Sequence, residues 1–128
     1  MMDYLLDTHI LLWWLDQSPR LENSWVSLME DPSNSIYVSS VSFWEISIKN
    51  RIGKLPLPFD PEKDLEKIVN QCHFEVLPIS PGHALMAGNW KMEHRDPFDR
   101  MLAAQSKIEK MPLISNDPEL KAFGVQIA

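Results

Sequence analysis

The sequence is poor in cysteine and glycine, and it lacks any long apolar run. Its only cysteine, Cys72, leaves no partner for an internal disulfide and no cysteine cage for zinc. No stretch approaches the roughly 18 consecutive apolar residues a membrane helix needs. Met1 to Asp7 carries no basic segment ahead of an apolar one. A soluble protein of a reducing compartment, the cytoplasm, is therefore expected, with no membrane contact. The pattern G-x-x-x-x-G-K-[ST] is absent, which argues against a P-loop nucleotide hydrolase. Positive charge is scarce: 12 Lys and Arg stand against 18 Asp and Glu, a formal net charge of −6. Tight binding of nucleic acid rests on neutralising phosphates with cations, so charge alone will not supply it here. An acidic site that reaches phosphate through a divalent cation stays open, and so does a basic protein partner.

What is present suits one globular domain over residues 1–128, with 45% hydrophobic and 23% charged residues. Tyr4-Leu5-Leu6 is a short apolar run and reads as a buried strand. A helix follows, with Ile10, Trp13 and Trp14 at helical spacing, and Pro19 ends it. A second helix fits Leu21 to Met29. Ser35-Ile36-Tyr37-Val38 reads as a strand, and the helix after it runs to about Arg51, with Gly53 just past its end. Leu55-Pro56-Leu57-Pro58 is a connector, and Pro61 to Cys72 a helix. Phe74 to Ile79 reads as a third strand, followed by a helix from Pro81 to about Trp90. Asp96-Pro97 opens a helix to about Lys110, and Leu113-Ile114-Ser115 is a fourth strand. Asp117-Pro118 starts a short helix, and Val125 to Ile127 suits a small last strand. Strands alternating with helices predict an α/β fold: three layers, α/β/α, around a short, mostly parallel sheet of four to five strands.

Four acids fall at places such a sheet can bring together. Asp7 follows the first strand and Asp117 the fourth. Glu45 is placed in the first turn of the helix after the second strand. Asp99 is placed in the first turn of the helix that leads into the fourth. Ligands of open α/β sheets bind beyond the carboxyl ends of the strands. Hard cations such as Mg²⁺ and Mn²⁺ take carboxylate oxygens, keep several waters and leave positions for phosphate. Each acid also has a plainer reading as a helix cap. Ser42-x-x-Glu45 has the form of a capping box, Asp117-Pro118 that of an N-cap with Pro at N1, and Asp96 that of a cap for the helix bearing Asp99. Asp7 or Thr8 could cap the first helix. Capping explains each acid but not their shared location, because clustered carboxylates repel unless a cation or proton compensates.

Thr8 and Ser115 adjoin two of the acids and are candidates for holding substrate or a metal-bound water. Arg100, and His94-Arg95 before it, are candidates for contacting phosphate, with a structural ion pair as the alternative. Lys49, Arg51 and Lys54 read first as favourable charge at a helix C-terminus, and second as a backbone contact for nucleic acid. Trp13 and Trp14 cannot both face one side of a helix, so one of them is expected at the surface, where an exposed aromatic suggests a protein interface. His9, His73 and His83 show no metal-like spacing.

Four ordered segments carry a resemblance. They are Leu6-Asp7-Thr8-His9, Ser42-Phe43-Trp44-Glu45-Ile46, His94-Arg95-Asp96-Pro97-Phe98-Asp99-Arg100 with Ala103-Ala104-Gln105, and Leu113-Ile114-Ser115-Asn116-Asp117. As a set the chain resembles, over nearly its whole length, the PIN-domain toxin ribonucleases of VapBC-type toxin–antitoxin systems. The resemblance implies an acidic quartet of Asp7, Glu45, Asp99 and Asp117, with Asp7 and Asp99 the most direct metal ligands and Asp96 a possible auxiliary. It further implies Mg²⁺ or Mn²⁺ as cofactor, RNA as substrate, a homodimer, and a cognate VapB-like antitoxin as partner. The alternative is a catalytically silent PIN-like binding or regulatory module. An acid-based phosphatase is disfavoured, because Asp7-Thr8-His9 has no second Asp two positions on.

Overall fold

The structure is a computed structural model that describes residues 1–91 and 96–128. Four strands form a parallel sheet: β1 (Asp3–Leu6), β2 (Ser35–Ser39), β3 (Glu75–Leu77) and β4 (Leu113–Ile114). Their spatial order is β3-β2-β1-β4. Each crossover carries two helices. These are α1 (Thr8–Leu15) and α2 (Asn23–Glu30), α3 (Ser40–Arg51) and α4 (Pro61–Gln71), then α5 (Pro81–Asn89) and α6 (Pro97–Glu109). A 3₁₀ turn, Pro118–Phe123, follows β4.

The strands are apolar at successive positions because both faces of the sheet are covered. Successive side chains point to opposite faces. Tyr4, Leu6, Ile36, Val38 and Ile114 accordingly enter one core with α1, α2 and α4. Leu5 and Leu113 enter the other, with Leu102 and Ala103 of α6 and Leu120 and Phe123 of the 3₁₀ turn. Helix α3 serves both, giving Ile46 to the first core and Val41 to the second. Three layers result, as the alternation of elements predicts.

The departures from expectation are local. β3 stops at Leu77 rather than Ile79, because Pro78 has no N–H to continue a ladder. The expected last strand is a single bridge, Ile127 to Leu113. The Leu113 amide donates to the Gln126 carbonyl at 2.9 Å, and the Ala128 amide to the Leu113 carbonyl at 2.7 Å. Neither Trp13 nor Trp14 is the exposed tryptophan. Both are half-buried, Trp13 stacking on Trp25 and Trp14 packing against Phe74, and the exposed one is Trp44. Gly53 does sit just past α3, at φ +80°, where a side chain would be strained.

The chain fills β1, β2 and β3 outward in one direction, then returns across β1 to place β4 on its far side. The reversal between β1 and β4 is a topological switch point, and it leaves a crevice beyond the carboxyl ends of those two strands. Asp7 ends β1 there, and Ser115-Asn116-Asp117 end β4.

Candidate active site

One polar cleft of about 500 Å³ opens at this switch point. Its walls hold Asp7, Glu45, Asp96, Asp99 and Asp117, so all four predicted acids and the auxiliary converge. They come from the β1–α1 junction, α3, the first turn of α6 and the β4 exit.

Asp7 is at the centre of the hydrogen-bonding. Its amide donates to the Ile114 carbonyl at 3.0 Å, which fixes it between the two strands. Asp7 is the N-cap residue of α1, as its sequence position allows, although no side-chain cap hydrogen bond is formed there. Instead Ser115 Oγ donates to Asp7 Oδ2 at 2.7 Å. Ser115 Oγ also accepts the Asp117 amide at 3.0 Å, so its one proton is committed to Asp7. One hydroxyl thereby ties the two acid-bearing strand ends together. Burial pushes the Asp7 carboxyl above its ordinary range, only partly offset by the Ser115 hydroxyl and by His9, and the charge of Glu45 pushes it the same way.

Glu45 corrects the sequence reading. The N-cap of α3 is Ser39, whose hydroxyl accepts the Val41 amide at 3.0 Å. Ser42 and Glu45 therefore form no capping box, and Glu45 lies in the second turn rather than the first. Ser42 instead faces Thr8, with the two hydroxyl oxygens 2.8 Å apart in a buried contact. Residues three and four apart share a helix face. Ser42, Glu45 and Lys49 are such a stripe: Ser42 latches α3 to α1, Glu45 lines the cleft, and the Lys49 ammonium pairs with Glu45. Glu45 is buried, and Lys49 is the cation that offsets its charge. Thr8 and Ser115 therefore hold the acids in place, and both are buried.

Asp96 and Asp117 do cap, and they also line the cleft. Asp96 Oδ1 accepts the amides of Phe98 at 2.9 Å and Asp99 at 3.3 Å, fixing the start of α6 and with it Asp99. Asp117 Oδ1 accepts the Glu119 amide at 2.9 Å. Each keeps a second oxygen for other use. Arg100 follows Asp99 on α6 and bonds to the end of α5. Its Nε donates to the Ala87 carbonyl at 2.8 Å and its Nη2 to the Trp90 carbonyl, closing the end of α5. Arg100→Met should therefore lower the melting temperature by several degrees, since hydrogen bonds from a charged donor contribute about 1.5–3 kcal/mol. Thermal denaturation checks this, and the KM for nucleic acid should stay within about twofold. His94 and Arg95 lie outside the described residues.

His9, Trp13 and Arg20, which the sequence reading did not bring to the site, line the cleft, and so does Lys49, read there as helix charge or a nucleic-acid contact. The i, i+3, i+7 spacing of Ser42, Glu45 and Lys49 was the available signal for Lys49. Nothing local marks Arg20, which the α1–α2 connection brings in. His83, unassigned from sequence, is a buried structural residue. It closes a capping box with Ser80 and pairs through Nε2 with Glu109 at 2.8 Å.

The family model for the PIN domain matches residues 4–125. The chain belongs to the PIN domain family. The match runs from β1 to just past the 3₁₀ turn, so it includes all five acids of the cleft. A curated relative, Ribonuclease VapC16 of Mycobacterium tuberculosis, is 33% identical over 57 residues, which are 44% of this chain and 40% of that protein. The matched stretch therefore spans well under half of the curated relative. Two solved structures share the fold over their full length. VapBC2 from Rickettsia felis, bound to a DNA fragment from its promoter, superposes with a TM-score of 0.72 at 18% identity, covering 99% of this chain and 98% of that one. DNA-bound VapBC from Salmonella typhimurium gives 0.70 at 19% identity, covering 100% and 98%. This PIN domain thus shares its fold with these two structures.

The donor set of this PIN domain is all oxygen, which suits a hard divalent cation over a thiophilic one. Among the described residues, no group of three or more acidic, imidazole or thiol side chains stands close enough together to hold a metal ion.

Proposed function

We propose that this PIN domain is a divalent-metal-dependent endoribonuclease of the VapC type, the toxin of a toxin–antitoxin pair. The observation that carries the reading is the convergence of Asp7, Glu45, Asp99 and Asp117, with Asp96, on one cleft at the switch point. Their summed negative charge has two described cations beside it, Lys49 and Arg20, and Lys49 is already engaged with Glu45. Such a site is costly to build unless a cation belongs in it.

Asp7 and Asp99 are the residues that would hold Mg²⁺ or Mn²⁺, with Glu45 and Asp117 beside them. The cation, when bound, lowers the pKa of water and offsets charge developing on the phosphate. The chain's own residues supply the rest. Ser115 holds the Asp7 carboxylate in one orientation. The Thr8–Ser42 contact sets the distance between α1 and α3, and so between Asp7 and Glu45. Asp96 fixes the first turn of α6 so that Asp99 faces the cleft, and Arg20 is the cation placed to meet a substrate phosphate.

An acidic cleft on a chain of net charge −6 suits an inhibitor with a basic side chain, and the relatives solved as VapBC complexes support an antitoxin as that partner. The function is tested by incubating the purified protein with single-stranded RNA and mapping the ends. Cleavage should require Mg²⁺ or Mn²⁺, stop with EDTA, and resume when the cation is restored. RNA left intact under every metal condition, with metal nevertheless bound, would favour a silent regulatory module instead.

A further inference from the structure

Trp44 is the most exposed aromatic side chain among those described, at 57% of its full area. It does not stand alone. Its ring meets Phe98 edge-on, with centroids 5.3 Å apart. Trp44 directly precedes Glu45 on α3, and Phe98 directly precedes Asp99 on α6. The contact between the two rings therefore stands beside two of the cleft's acids. Phe98 is half-buried and packs on the second core, so the pair is anchored from below while the indole stays open to solvent.

The indole leaves more than half its area exposed, enough of a π-face for a contact outside the fold where binding gives a reason for one. The charge of the protein supplies that reason. With a net charge of −6 and one of the two cleft cations among the described residues, Lys49, tied to a carboxylate, the protein gains little from phosphate neutralisation. An acidic protein that acts on a polyanion needs a grip that charge does not provide. Stacking of an unpaired base on an aromatic face is such a grip, since every base has a π-face and the contact is nearly indifferent to salt.

We propose that Trp44, braced by Phe98, is a stacking platform for an unpaired base of the RNA strand beside the scissile phosphate. The inference rests on the ribonuclease reading but concerns a different part of the protein. Trp44 touches no reacting atom. It positions the strand, and it restricts the substrate to segments whose bases are free to leave a duplex.

The test compares Trp44→Ala and Trp44→Phe with the parent protein on two substrates. One is a short single-stranded RNA. The other is an aryl phosphodiester that has no base. On RNA, Trp44→Ala should raise KM about tenfold or more and leave kcat within about twofold. The rise should be similar at low and high salt, and Trp44→Phe should recover most of the loss. On the base-free diester both variants should match the parent. Light scattering should give one mass for all three proteins. An unchanged KM on RNA overturns the proposal, and so does an equal loss on both substrates. A fall in mass for Trp44→Ala overturns it too, because Trp44 is then a protein–protein contact. Should the parent protein cleave no RNA, the platform is read separately, from fluorescence quenching by the same oligonucleotide: quenching that disappears in Trp44→Phe supports it, and none overturns it.

Discussion

Asp7→Asn should cut RNA cleavage by at least about a thousandfold and raise the melting temperature of the metal-free protein at pH 7. The two effects have one cause. Asp7 is buried, and desolvation holds its carboxyl above the ordinary range. A raised folded-state pKa means that the native protein binds this proton more tightly than the unfolded chain does. Stability from this group is therefore greatest below the unfolded value near 3.8 and falls as pH rises through the folded value. As pH rises through that folded value the carboxylate ionises in a buried setting, and the cost of the charge appears. Asparagine removes the charge, keeps an oxygen to accept from Ser115 Oγ, and is nearly the same size. A gain of about 1 kcal/mol would appear as a few degrees in a domain of this length. Losing a direct metal ligand should cost more than the 10–100-fold typical of residues that merely support ligands. Melting curves at pH 7 and pH 3.5 check the stability half, since the advantage of the variant should vanish at the lower pH. Full cleavage activity in folded Asp7→Asn would remove Asp7 from the site.

How far this site could be read from the sequence differs residue by residue. Asp7 and Asp117 were legible because they end strands whose apolar runs are unmistakable, and the ends of parallel strands meet by construction. Asp99 was legible because Asp96-Pro97 marks a helix start and Asp99 lies three positions on. Glu45 was located on the right helix but in the wrong turn. Ser39, Ser40 and Ser42 all offer cap chemistry, and the local pattern Ser42-x-x-Glu45 mimics a capping box. What decided the matter is non-local: β2 pairs with β1 and β3 only as far as Ser39, which makes Ser39 the cap. Ser42 and Lys49 followed once that start was known. The orientation of Arg100, the arrival of Arg20 at the cleft and the exposure of Trp44 depend on how one helix packs on another. Periodicity within a single helix carries no information about that. Arg100 is the instructive case, since a basic residue beside an acid reads as a substrate contact until its bonds to the Ala87 and Trp90 carbonyls at the end of α5 are seen.

Millimolar Mn²⁺ should raise the melting temperature of the unaltered protein by about 10 °C and leave Asp7→Asn and Asp99→Asn almost unmoved. A ligand that binds only the folded state stabilises by RT ln(1 + [L]/Kd), or about 2.7 kcal/mol at a hundredfold excess over Kd. In a domain of this size that corresponds to the stated shift. The order of stabilities should thus invert: Asp7→Asn is the more stable protein without the cation and the less stable with it. The inversion separates a metal site from a cluster of caps, because removing a cap lowers stability whether or not a cation is present. Asp96→Ala supplies that control. It takes away the acceptor for the Phe98 and Asp99 amides and should cost about 1 kcal/mol in both conditions. The Mn²⁺ effect should also weaken as the pH falls, since the cation must displace the proton that burial makes Asp7 retain. A shift of equal size in all variants would place the cation elsewhere on this acidic surface.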